Sequence, residues 1–192
     1  MKSSDSNPTP NLRVWDPLVR LMHWSLVVGV ALAWITSEQA EHGDDGTGMH
    51  LWIGYFVVTI VVARVLWGFI GPRHARFTSF VRSPAVVADH ARHVWRGDEP
   101  RYLGHNPLGG WMIVALLLTL AGVAVTGWAM TTDRWFGSEA MEELHEGLAW
   151  LLPWLVVAHV GGVLWTGRQH AENLVRAMFT GRKRAAAPGD ID

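Results

Sequence analysis

Four blocks of almost uninterrupted apolar residues, at about 18–36, 51–70, 108–130 and 144–166, alternate with polar stretches along the chain. Crossing the hydrocarbon core of a bilayer takes about 20 mostly apolar residues, so each block is long enough to span a membrane. An unpaired backbone amide in lipid costs several kcal/mol, and the alternating strands of a closed barrel are absent, so the spans are predicted to be helices. Asp16 and Pro17 supply a cap and a first-turn proline for the first span; "GFIGP" closes the second and "NPLGG" opens the third. The predicted fold is all-α, an integral membrane four-helix bundle.

The polar stretches differ in charge. Arg73, Arg76, Arg82, Arg92, Arg96 and Arg101 lie between spans two and three, and Arg13, Arg20, Arg168, Arg176, Arg182, Lys183 and Arg184 lie in the flanking tails. The other two connections, "SEQAEHGDDGTG" and "TTDRWFGSEAMEE", hold one arginine and many carboxylates. By the positive-inside rule both termini and the long connection face the cytoplasm and the acidic loops face outward, an N-in/C-in arrangement. Within the inner connection, "SPAVVADHARHVWRG" offers Ser83 as a cap, Pro84 at the first helical position and Val86, Val87 and Val94 along one side, which predicts a short amphipathic interfacial helix. "ENLVRAMFTGRKR" near the C-terminus is predicted to form another; residues 1–12 and 185–192 read as flexible tails.

Composition removes several chemistries. The 192 residues include no cysteine, which excludes disulfides, cysteine-ligated clusters and the C-x-x-C-H attachment of c-type haem. A formal net charge of −1 gives no reason to expect nucleic acid as a partner. The N-terminus lacks the apolar core and cleavage site of a signal peptide. Of the 12 tryptophans, Trp15, Trp24, Trp52, Trp67, Trp111, Trp128, Trp135 and Trp165 flank spans, as an interfacial aromatic belt would.

Ten histidines are present. His42, His74, His90, His93, His105 and His170 fall in polar segments and are expected at the surface. His23, His50, His145 and His159 sit in or at the edges of spans, where ionisable groups are expensive and usually functional. The alternating direction of the spans puts His50 and His145 near the outer face, and His23 and His159 near the inner one. His145 and His159 are fourteen positions apart on one helix, which amounts to roughly 21 Å of rise on nearly the same face.

Neutral imidazoles opposed in pairs across a bundle are a ligand set for six-coordinate haem iron, with the macrocycle wedged between helices. The wedge requires small residues, and Gly54, one turn after His50, is a candidate, as are Gly29, Gly122, Gly127, Gly161 and Gly162. Arg64, fourteen residues after His50, shares its face at the inner level, where it can pair with haem propionates; Arg20, near His23, is a weaker candidate. Pro153, midway between the histidines of the fourth span, is expected to bend that helix.

The segments "RVWDPLVRLMHW", "HLWIGYFVVTIVVARVLWGFIGPRHARFTSFV", "TGW" and "LHEGLAWLLPWLVVAHVGGVLW" together resemble the bacterial cytochrome b561 family, which includes the b-type subunits of nickel–iron hydrogenases. The likeness covers about residues 13–167. It implies a di-haem cytochrome b membrane domain, here over 13–184, with two haem b groups on His23/His159 and His50/His145. It further implies electron transfer in the bacterial inner membrane between a periplasmic donor, such as a c-type cytochrome or other redox protein, and quinone. Superoxide is an alternative donor. A histidine-based proton or metal transporter without haem is the competing class, but it predicts carboxylates beside the histidines within the spans.

Overall fold

The computed structural model describes residues 11–41 and 46–192. Four long helices form the bundle: α1 (Pro17–Glu41), α2 (Gly46–Ile70), α5 (Pro107–Met130) and α6 (Glu139–Gln169). All four are long and apolar enough to cross a membrane. Shorter elements decorate one end of the bundle. They are β1 (Leu12–Arg13), a 3-10 turn at Arg73–Ala75, α3 (Phe77–Phe80), α4 (Pro84–Arg96), α7 (Leu174–Thr180) and β2 (Arg182–Lys183).

Local chemistry sets where the helices begin. Asp16 Oδ1 accepts from the N–H groups of Leu18 and Val19 at 3.0 and 3.1 Å, capping α1 just before Pro17. The same oxygen accepts from Trp67 Nε1 at 3.3 Å, tying the start of α1 to the end of α2. Asn106 caps α5 in the same way, accepting from Gly109 N at 2.7 Å. Glu139 and Glu142 occupy the first turn of α6, where negative charge suits the helix dipole. The helix continues through Pro153. It also starts several residues before the apolar block does, so hydropathy alone places its first turn too late.

Helices α1 and α2 pack as one antiparallel pair and α5 and α6 as another, and α2 joins α5 across the middle. The seam between the pairs is built of Val57, Val61, Leu117, Leu120 and Leu152. Most other apolar side chains of the spans point outward, as lipid demands; Trp52 and Trp154 are among the most exposed.

The end where residues 11–16 meet residues 174–192 is a folded cap. Strands β1 and β2 pair antiparallel, Leu12 opposite Lys183 and Arg13 opposite Arg182. Gly181, which ends α7 with φ +76°, lets this corner close: a Cβ there would meet the Trp15 carbonyl at 2.7 Å. The amphipathic helix expected after Ser83 forms, with Pro84 at its first turn and Gly97 in the left-handed conformation at its end.

Three expectations are corrected here. Residues 185–192 are tied down rather than loose. Ile191 exchanges backbone hydrogen bonds with Arg101 and Leu103, and the buried Arg101 guanidinium pairs with Glu172 at 2.9 Å and with Asp190. Lys183, also buried, donates to the carbonyls of Tyr102 and Gly104, and burial pushes it down to about 8. His90 and His105 are not surface residues: His90 is 3 % exposed, and His105 packs against Trp15 and Phe80 with its Nδ1 shielded from solvent. Trp15 belongs to the cap core with Val14 and Ala177 rather than to a lipid-facing belt. In each case the inner segments fold back on one another and supply the burial. His93 is partly exposed, and His42 and residues 1–10 lie outside the described residues.

Candidate functional site

The four span histidines meet in two pairs. His23 of α1 faces His159 of α6 with ring centroids 6.5 Å apart, and His50 of α2 faces His145 of α6 with centroids 6.4 Å apart. Two metal–imidazole bonds of about 2 Å, with roughly 1 Å more from each nitrogen to its ring centre, bring facing centroids about 6 Å apart. Both pairs therefore have the spacing that one metal atom between them requires. The rings are inclined to each other by 51° in the first pair and 78° in the second.

Hydrogen bonds fix the His50/His145 pair. His50 Nδ1 lies 3.0 Å from the Ala33 carbonyl and 3.4 Å from Thr36 Oγ1, both on α1. His145 Nδ1 lies 3.0 Å from Thr126 Oγ1 on α5. The Thr126 hydroxyl is itself within 2.9 Å of the Gly122 carbonyl and 3.0 Å of the Val123 carbonyl, where it donates in the usual back-bonded manner. Its lone pairs are then left to accept from His145, which puts the proton on Nδ1 and leaves Nε2 unprotonated and able to bind a metal. Gly127 makes room for this ring, since a Cβ there would come within 3.0 Å of His145 Cε1.

The His23/His159 pair is held differently. His23 stacks edge-on against Trp24 at 5.0 Å, and its buried Nδ1 has no hydrogen-bond partner among the described residues. Arg64 is 6 % exposed, so it does not snorkel to the interface as a merely structural arginine would. Its guanidinium lies over the Phe77 ring at 5.5 Å, and Nη1 is buried without a hydrogen-bond partner among the described residues. A buried, incompletely paired cation calls for an anionic partner, and a haem propionate is one. Arg20 has another occupation: Nη1 donates to the Phe179 carbonyl and caps the last turn of α7.

The glycines divide. Gly29 and Gly122 are packing positions, where a Cβ would press on Val57 at 2.8 Å and Leu148 at 2.9 Å. Gly54, Gly161 and Gly162 face open space within 4 Å, as a helix surface left for a flat cofactor would. Ala33, Thr36 and Thr126 were not legible as site residues; the one signal for the two threonines is a hydroxyl within a span at the level of a span histidine, and Ala33, which acts through its backbone carbonyl, carries none. Among the described residues, no group of three or more histidine, cysteine, aspartate or glutamate side chains is arranged to hold a metal ion without a macrocycle.

Comparison with known proteins identifies the family. The sequence model of the family described as prokaryotic cytochrome b561 matches residues 14–181. Three curated relatives carry the name probable Ni/Fe-hydrogenase B-type cytochrome subunit. The protein from Bradyrhizobium diazoefficiens is 21 % identical over 91 % of this chain and 87 % of its own length. The Rhodobacter capsulatus protein is 21 % identical over 88 % and 80 %, and the Azotobacter vinelandii protein 25 % over 77 % and 78 %. No solved structure matches the chain.

Proposed function

The chain belongs to the prokaryotic cytochrome b561 family and is a multi-pass b-type cytochrome of the bacterial inner membrane; from that premise we propose that it carries electrons through two b haems between a periplasmic donor and the quinone pool. The observation that supports this reading best is the pair of opposed imidazoles at each of two levels, with nearly equal spacing. His50 and His145 hold the haem near the acidic, outer loops; His23 and His159 hold the one near the arginine-rich, inner cap. A haem with two imidazole ligands, when bound, takes up and returns one electron without needing an open coordination position.

The protein's own part is to orient and insulate. The Ala33 carbonyl and Thr126 keep two imidazoles in the tautomer that presents Nε2. Arg64 offers its free Nη1 to a propionate, and the apolar helices keep water from the ligands. Glu139, Glu142, Glu143 and Glu146 are exposed around the start of α6, which suits docking of a basic redox protein such as a c-type cytochrome. The names of the relatives bring forward a hydrogenase as an alternative donor of the same class. An acidic mouth disfavours approach of superoxide, an anion. A transporter is disfavoured because the carboxylates gather at one mouth and do not accompany both histidine pairs.

The test is a reduced-minus-oxidised spectrum of the purified chain with a haem-to-protein ratio. Two low-spin b haems per chain are expected. Folded protein that binds none, or a single haem lost equally in all four histidine variants, overturns the reading. Reduction by a basic donor protein should slow as salt rises, and fast reduction by superoxide alone would remove the docking argument.

A further inference from the structure

The two histidine pairs are alike in spacing and unlike in support, and resting on the two-haem reading we propose that Thr126, with the Ala33 carbonyl and Thr36, is a positioning group that makes the outer haem the lower-potential centre. At the outer level both Nδ1 atoms lie within hydrogen-bond reach of acceptors, His50 on the Ala33 carbonyl at 3.0 Å and His145 on Thr126 Oγ1 at 3.0 Å. Thr36 and Thr126 are themselves buried, at 7 % and 5 % exposure, and both are back-bonded to their own helices, so their lone pairs are fixed in direction. At the inner level His23 Nδ1 is buried with no acceptor among the described residues.

An Nδ1–H that donates to an acceptor makes its imidazole a stronger electron donor to the metal. Stronger donation favours the ferric state, with its extra positive charge, and so lowers the reduction potential. The surrounding charges act in the same sense. Exposed Glu142, Glu143 and Glu146 lie close to His145 in the chain at the outer mouth, and buried Arg64 belongs to the inner end, where Lys183 is balanced by Glu172. Negative charge favours the oxidised centre and positive charge the reduced one. The order of potentials that follows sends an electron inward, from the periplasmic side toward the cytoplasmic side.

The experiment is potentiometric titration of the full, haem-loaded chain, followed by optical and electron paramagnetic resonance spectra of both centres. Thr126→Val removes the acceptor at nearly constant volume, and Thr126→Ser restores it. A bond that strengthens on oxidation can change the oxidised-to-reduced ratio by at most about fivefold, or roughly 40 mV for one electron. The lower-potential wave should rise by up to that amount in Thr126→Val, with a changed ferric resonance signal, and return in Thr126→Ser; the higher wave should stay in place. Two haems bound but an upward shift confined to the higher wave, or no shift in either, would overturn the proposal while leaving the two-haem reading intact. Thr126→Ser failing to restore the wave would also overturn it. A chain that binds no haem would instead remove the reading on which the proposal rests.

Discussion

Replacing Arg64 by methionine tests the inner half of the site most directly. The guanidinium is buried, it lies over Phe77, and Nη1 lacks a hydrogen-bond partner among the described residues. Methionine keeps much of the length and packing while deleting charge and donors. A hydrogen bond to a charged partner contributes about 1.5–3 kcal/mol, so losing one to a propionate should speed release of the inner haem by about 10- to 150-fold. In haem-free protein the sign reverses, because a buried unpaired cation costs stability and an apolar replacement relieves it. The assay compares haem release into an excess of a haem-scavenging protein with unfolding of the haem-free chain, for the parent and Arg64→Met in the same detergent. Expected results are faster loss of one haem of the two, the higher-potential one, and unchanged or greater stability of the haem-free form. Equal retention of both haems in parent and variant, or loss of the outer one, would refute the assignment of Arg64 to the propionate.

Replacing His50 or His145 by alanine should remove the outer chromophore first, and replacing His23 or His159 the inner one, as read from the haem-to-chain ratio and the remaining redox wave. Burial alone would raise the Glu172 carboxyl, but hydrogen bonds from Arg101 and the Arg184 N–H, with the nearby Lys183, outweigh it and hold it below the ordinary range. Its folded-state value is depressed, so its contribution is intact above the unfolded value and is lost as pH falls through the folded one. Protection of the amides of residues 182–191, taken relative to their intrinsic exchange rates, should therefore fall in acid and hold between pH 6 and 8, and Glu172→Gln should already show reduced protection at neutral pH. Burial raises the Glu99 carboxyl, which His170 opposes at 3.5 Å, with His90 3.9 Å from its other oxygen. The fold then favours protonated Glu99, and stability is lost as pH rises from the unfolded value through the raised one. Glu99→Gln should raise the thermal midpoint at pH 8 and leave it unchanged near pH 4; the opposite order would contradict this.

The bundle was legible in the sequence because lipid imposes its rule locally: a run such as 108–130 must be apolar and helical wherever its neighbours are. The site was legible for a related reason. Fourteen residues carry a helix through nearly whole turns, so His145 and His159 on α6 are matched by level to His50 and His23 from topology alone. The cap was not legible, because its polar residues are buried by partners far away in the chain. Arg101 meets Asp190 across 89 positions, and nothing near Lys183 or His90 in the sequence announces burial. Thr126 was missed because a threonine in a membrane helix ordinarily bonds back to its own carbonyls. It does that here too, and its second contact, to His145 nineteen residues away, depends on how α5 and α6 are rotated against each other.

The seam of Val57, Val61, Leu117, Leu120 and Leu152 has a consequence for biogenesis. It joins the two antiparallel helix pairs along one line, like the spine of a book whose outer covers are α1 and α6. Those covers touch at His23 and His159 and at the Trp34 and Trp150 rings, so whatever binds the histidines also clasps the volume shut. On the two-haem reading, iron porphyrin held between the histidines should therefore stabilise the inserted bundle. In cells starved of porphyrin the bundle would lose that clasp, and the abundance of the protein should follow porphyrin supply as well as its own transcription.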